Sequence, residues 1–274
     1  MPSVTFKCNR SNPKNAVGKL RKKTVYTPSM IGFDGVKGDG LGVRICIIDT
    51  GYPRHENIPF SASNTIDFTS SKSAAKDTHG HGTGVAGILK AHGGSIEGMV
   101  PKAEIFYAKG LSDEGEGSHG AVQASILYAI VKQVDIIVMS FGSEIRHPTL
   151  HDAIKKAYHS GISLFAASGQ TLRSTKDSDY PARFPEVMSV GYSSTNFPTA
   201  GSSDAPHIAM PIKGLQTTFL GDKFIKMNGT SAITPAIAGV AAILLQNNRS
   251  VRQANQPGFL YDKLISLCRP DRRS

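Results

Sequence analysis

Asp49, His81 and Ser231 are the side chains whose types and settings suit acyl transfer, and each stands at a turn beside an apolar stretch. Ser231 lies in Asn228-Gly229-Thr230-Ser231, ahead of an uncharged run that ends at Leu245. A small-residue turn leading into such a run predicts a helix buried on every side. A serine at its start has its hydroxyl on a fixed backbone, beside unpaired amide N–H groups at the helix's positive end. Those surroundings suit a nucleophile beside which an oxyanion forms. Taken alone, Thr230-Ser231 reads equally as an N-cap, and Asp49 as a turn former ending a strand. His79-Gly80-His81-Gly82-Thr83 opens a helix of small residues, and two histidines two apart also raise a metal pair. No partnering Cys, His or carboxylate set stands at ligand spacing, so no metal is expected. Asp, then His, then Ser at a helix start is one of the chain orders in which the acyl-transfer triad is built.

Such groups need a rigid scaffold. Short β-branched or apolar runs at 43–48, 104–108, 135–140, 162–167 and 187–190 read as strands. Between them, 82–89, 118–133 and 151–159 read as helices. Strands alternating with helices predict right-handed crossovers and an α/β fold on a mostly parallel sheet. Sites in such sheets form beyond the carboxyl ends of strands, where Asp49 and Gly169 both fall. With no repeats and no Pro/Ser-rich linker, one catalytic domain is expected over 30–250. A mobile polar extension, 1–29, precedes it, and a basic tail, 251–274, follows.

Composition agrees with a globular domain. The chain has 274 residues, 39% hydrophobic and 19% charged, which suffices for a sizeable core. Net charge is +10, concentrated in Lys19, Arg21, Lys22 and Lys23 and in Arg269, Arg272 and Arg273. No interleaved aromatics accompany these clusters, so they read as solvated tails and not as a nucleic-acid surface. No charge-free apolar run reaches the ~18 residues of a membrane span. Residues 1–8 lack the apolar core of a signal peptide, and Cys8, Cys46 and Cys268 form no disulfide framework. The expectation from these features is a cytoplasmic, reducing compartment.

Three sequence blocks carry a resemblance. Ile48-Asp49-Thr50-Gly51, His81-Gly82-Thr83-x-Val85-Ala86-Gly87 and Gly229-Thr230-Ser231-x-x-Thr234-Pro235 are similar to the signatures of the subtilisin-like serine proteases, the peptidase S8 family. The resemblance runs from about Gly35 to about Gln246. It implies a three-layer αβα fold and an endopeptidase with Ser231 as nucleophile, His81 as general base and Asp49 orienting the imidazole. It implies that Gly115-Glu116-Gly117 and Ser140-Phe141-Gly142 pair with substrate backbone, and that Ser231 N–H and a side-chain amide form the oxyanion hole. Where the family has Asn after Ala166-Ala167-Ser168-Gly169, this chain has Gln170, one methylene longer. An impaired hole would leave a peptide-binding pseudoprotease, the alternative reading. Gly84 stands where the family commonly has histidine, and the loop 92–96 lacks the asparagines of the family's calcium site, so no cofactor is expected. Asp179, just before Tyr180-Pro181, stands where many relatives have glycine at the base of the S1 pocket. A carboxylate there would favour Arg or Lys at P1. Relatives that work inside cells carry a short N-terminal extension over the cleft that is later clipped. Here that implies self-inhibition by residues 1 to about 23, relieved by cleavage after Arg21, Lys22 or Lys23.

Overall fold

Seven parallel strands carry the site. The computed structural model describes residues 5–9, 11–169, 179–192, 206–211, 214–253 and 256–268. Its first strands are β1 (Thr5–Lys7), β2 (Thr24–Val25), β3 (Arg44–Asp49) and β4 (Thr65–Asp67), followed by α1 (His81–Lys90). Then come β5 (Ile96–Glu97), β6 (Glu104–Lys109), β7 (Glu116–Ser118) and α2 (His119–Val131). Next are β8 (Ile136–Met139), α3 (Pro148–His159), β9 (Ser163–Ala167), β10 (Val187–Tyr192) and β11 (Ile208–Met210). The hairpin β12 (Gly214–Phe219) and β13 (Lys223–Asn228) leads into α4 (Thr230–Asn247), and α5 (Gln256–Cys268) ends the described chain.

The main sheet has the order β11-β10-β9-β8-β3-β6-β4, and every neighbouring pair is parallel. β3 lies between β8 and β6, so Ile45, Cys46, Ile47 and Ile48 are buried on both faces, as a parallel sheet covered by helices requires. One core packs α1, α4 and α5 against the sheet, and a second packs α2 and α3 on the opposite face. This is the mostly parallel α/β sheet anticipated from the alternating pattern, in the three layers that the family resemblance implies. Thr230–Asn247 is long and apolar enough to cross a membrane, at mean hydropathy 1.3. However, 89% of it is buried inside the fold, so α4 is the core helix.

Both ends of the chain depart from expectation. Over its described residues the extension 1–29 packs against the domain. Phe6 is wholly buried, β2 pairs with β5, and Tyr26 and Pro28 are buried. Two aromatic anchors in a polar stretch supply enough apolar surface to hold it down, which average composition conceals. Likewise, α5 forms inside the stretch taken as a basic tail. Leu260, Leu264 and Cys268 recur every four residues and bury one helical face. The Gln256 amide anchors its start by donating to the Asp135 carbonyl at 2.6 Å.

Candidate active site

Asp49 ends β3, an interior strand of the sheet, and is almost fully buried. The Thr50 N–H donates to its Oδ1 at 2.7 Å, and His81 Nδ1 donates to both oxygens, at 2.8 and 3.0 Å. Gly82 makes this approach possible. A methyl there would lie 2.8 Å from the Gly51 carbonyl and 3.3 Å from Asp49 Oδ1. The rest of α1's small face lies against the hairpin, where Thr217 and Thr218 hydroxyls donate to the Gly84 and Thr83 carbonyls. Met227 and Thr217 crowd Gly84, which is where the family commonly has histidine.

Asp77, not among the expected site residues, holds α1 in place. Its Oδ1 accepts from the His79 and Gly80 N–H groups, and its Oδ2 from the Thr83 N–H and hydroxyl. An acidic cap ahead of a small-residue helix is a legible signal, since it satisfies orphan donors at the positive end. Lys109 is the second residue missed. Its ammonium is wholly buried, donates to the Thr50 carbonyl, and pairs with Asp113 at 2.9 Å. Burial alone would raise the Asp113 carboxyl, but hydrogen bonds from Ser73, Lys109 and Thr78 outweigh it and bring the pKa to about 2.

Ser231 stands in the first turn of α4, behind Gly229 at φ +77°. Its hydroxyl donates to the Ser140 carbonyl at 2.9 Å and not to His81. His81 Nε2 is buried and has no hydrogen-bond partner among the described residues. His81 and Ser231 nonetheless line one cavity of about 350 Å³ with Asn9, Asn12 and Asn228. Burial would lower the His81 pKa, but the charge of Asp49 and the neighbouring Cys8 outweigh it and hold the imidazole well above its ordinary range.

The segments expected to pair with substrate are occupied by the chain's own N-terminus. β1 runs antiparallel to β7, with Thr5 opposite Ser118, Phe6 opposite Gly117 and Lys7 opposite Glu116. On its other side, Lys7 N–H donates to the Gly142 carbonyl at 3.0 Å and Gly142 N–H returns the bond at 3.2 Å. Cys8 N–H donates to the Gly115 carbonyl at 3.1 Å. Phe6 meets Phe141 edge to face, with centroids 5.6 Å apart, and Cys8 reaches the His81–Asp49 pair. Past the site, Val17 and Phe224 exchange two backbone hydrogen bonds. The strap across the cleft is therefore residues 5–9. The basic run does not enter: Arg21, Lys22 and Lys23 are exposed, and Lys23 reaches Glu97 at 3.8 Å.

Asp179 sits against one expected cleft segment, at Gly142, and against the strand end at Gly169. A methyl on Gly142 would lie 2.7 Å from its Oδ2, and one on Gly169 2.6 Å from the same atom. Gln170 lies outside the described residues. Among the described residues, one group of three or more metal-capable side chains converges, namely Cys8, Asp49 and His81.

A protein-family model described as the subtilase family, Peptidase_S8, matches residues 40–263. The thermostable alkaline protease of Halalkalibacterium halodurans is 35% identical over 253 residues, covering 88% of this chain and 69% of its own length. Subtilisin BL of Lederbergia lenta is 32% identical over 233 residues, covering 83% and 85%. The minor extracellular protease Epr of Bacillus subtilis is 34% identical over 219 residues, covering 76% of this chain and 33% of itself. These relatives overturn the expected cytoplasmic compartment and point outside the cell, as the name of the last one states.

Proposed function

Because the chain belongs to the subtilase family of serine endopeptidases and is a peptide-bond hydrolase, we propose that Ser231, His81 and Asp49 carry its acyl transfer. The observation that carries this reading is the pair of Asp49–His81 hydrogen bonds beside a cavity that His81 shares with Ser231. Ser231 attacks the scissile carbonyl, His81 Nε2 takes its proton, and Asp49 stabilises the imidazolium that results. His81 then returns the proton to the leaving amine, and water hydrolyses the acyl-enzyme by the same steps reversed. The Ser231 N–H at the positive end of α4 and the Gln170 amide stabilise the oxyanion. Asp179 selects Arg or Lys at P1, a reading supported by its carboxylate lying against Gly142 and Gly169.

Residues 5–9 act as a self-inhibitory strap with Phe6, Lys7, Cys8 and Asn9 in the places of substrate residues P4 to P1. Support comes from the antiparallel pairing on both sides, the mode by which clefts of this kind read main chain. With the strap docked, Ser231 donates to Ser140, and rotation of its hydroxyl accompanies activation. The exposed run Arg21-Lys22-Lys23 suits cleavage by a second copy whose S1 pocket carries Asp179.

A fluorophosphonate probe reacts only with an activated serine, so labelling of the clipped enzyme at Ser231 is expected and its absence would favour the pseudoprotease reading. Intact mass is then followed for wild type and Ser231→Ala at two protein concentrations. Loss of the N-terminal segment in wild type alone, faster when concentrated and with rising activity, is expected. A fully active enzyme that keeps its strap removes the inhibitory reading.

A further inference from the structure

We propose that the strap-docked protein binds a thiophilic divalent cation, zinc by its ligand chemistry, between Cys8 Sγ and His81 Nε2, and that this ion holds the strap in the cleft. Cys8 Sγ, a carboxylate oxygen of Asp49 and a ring nitrogen of His81 all lie within 4.8 Å of one another. The second observation is the histidine itself. Its side chain is 1% exposed, and its Nε2 is buried with no hydrogen-bond partner among the described residues. Nδ1 is committed to Asp49. That is the arrangement of a metal-bound histidine, where one nitrogen donates to a carboxylate and the other faces the ion; on binding, the ion displaces the Nε2 proton and the Cys8 thiol proton to solvent and takes the lone pairs they leave. Ser231, the natural competitor for Nε2, donates to Ser140 instead.

The distances suit the ion. Zinc lies about 2.3 Å from a thiolate and about 2.0 Å from an imidazole nitrogen, so a tetrahedral bridge spans about 3.5 Å. Cys8 Sγ and a ring nitrogen of His81 lie within 4.8 Å of each other, the range from which such a bridge closes. Gly115 keeps the space open: a methyl there would lie 3.0 Å from Cys8 Sγ and 2.7 Å from His79 Nε2, so His79 borders the same spot. The sequence offered no such site because its sulfur and its imidazole lie 73 positions apart and on different elements. Cys46 and Cys268 are buried in the core and cannot substitute.

One ligand belongs to the strap and the other to α1, so the ion binds only while the strap is docked. A ligand of one state stabilises it by mass action, so free zinc at ten times its Kd favours the docked state about elevenfold. The inhibitory consequence rests on the strap reading above, but the binding does not.

The test uses the full chain with Ser231→Ala, which keeps the strap uncut, and cobalt(II) as the probe. A cobalt–thiolate charge-transfer absorption that zinc abolishes is expected. It should be missing from Ser231→Ala/Cys8→Ser and from Ser231→Ala lacking residues 1–9, both of which retain Cys46 and Cys268. In the wild type, zinc at ten times its Kd should slow loss of the strap about tenfold, with no effect on Cys8→Ser. Affinity for a labelled substrate peptide reports in each variant whether the strap is docked. A band that survives Cys8→Ser, or no band while the strap is docked, overturns the proposal and leaves the inhibitory reading intact. A strap that stays undocked even with cobalt overturns both.

Discussion

Phe6→Ala is the perturbation that most directly measures how tightly the strap is held. Phe6 has no exposed surface and meets Phe141 edge to face. Burying a phenylalanine is worth about 1.5–3 kcal/mol, and an edge-to-face pair adds about 0.5–1.5 kcal/mol. The expected loss of about 2–4 kcal/mol corresponds to about a 30- to 1,000-fold rise in the undocked population. In the Ser231→Ala background neither strap nor peptide is cut, so anisotropy of a labelled peptide reports cleft occupancy. Apparent affinity scales with the undocked fraction, so Phe6→Ala should tighten binding by that factor. The ceiling is the affinity of a chain lacking residues 1–9. If the truncated chain binds tightly while Phe6→Ala binds like its parent, Phe6 is not the anchor. If all three bind alike, the strap does not fill the cleft in solution.

Asp179→Gly should reverse specificity. A desolvated charge pair contributes about 1.5–3 kcal/mol, so kcat/KM for Arg or Lys at P1 should exceed that for Phe by about 10- to 100-fold before mutation. Equal preference before and after would detach Asp179 from S1. Gln170→Ala should lower kcat by about 10²-fold with little change in KM, at the low end of the loss seen when subtilisin loses its oxyanion amide. An unchanged kcat would exclude Gln170 from the oxyanion hole. Asp113 sets a pH dependence. Its carboxyl titrates near 2, below its ordinary value, so its contribution to stability is complete above about pH 4 and is lost as pH falls toward 2. Melting temperature measured from pH 7 to 2 should therefore drop less steeply between pH 4 and 2 in Asp113→Asn than in wild type. Asp113→Asn should also melt lower at pH 7, where Lys109 keeps a buried charge without its partner. Parallel curves would refute the assignment.

Local chemistry alone determined much of this protein. Ile45, Ile47 and Ile48 announced a strand buried on both faces, and the uncharged run after Ser231 announced a core helix. Such patterns are legible because a buried element must be apolar on every side that packs. The Asp49, His81 and Ser231 blocks were legible because close approach needs small residues, as Gly82 illustrates. Tertiary structure decided what depends on distant partners. Lys109 became the buried cation beneath Thr50 only once β3 and β6 were brought together. The extension looked mobile because two aromatic anchors are lost in a polar average, yet one of them, Phe6, finds a pocket beside Phe141. Cys8, unremarkable at its place in the chain, arrives at His81 because backbone pairing with Glu116–Ser118 and Gly142 sets its register. Residue order records which side chains are available. Only long-range pairing selects which of them meet, because a strand takes its register from the edge it joins.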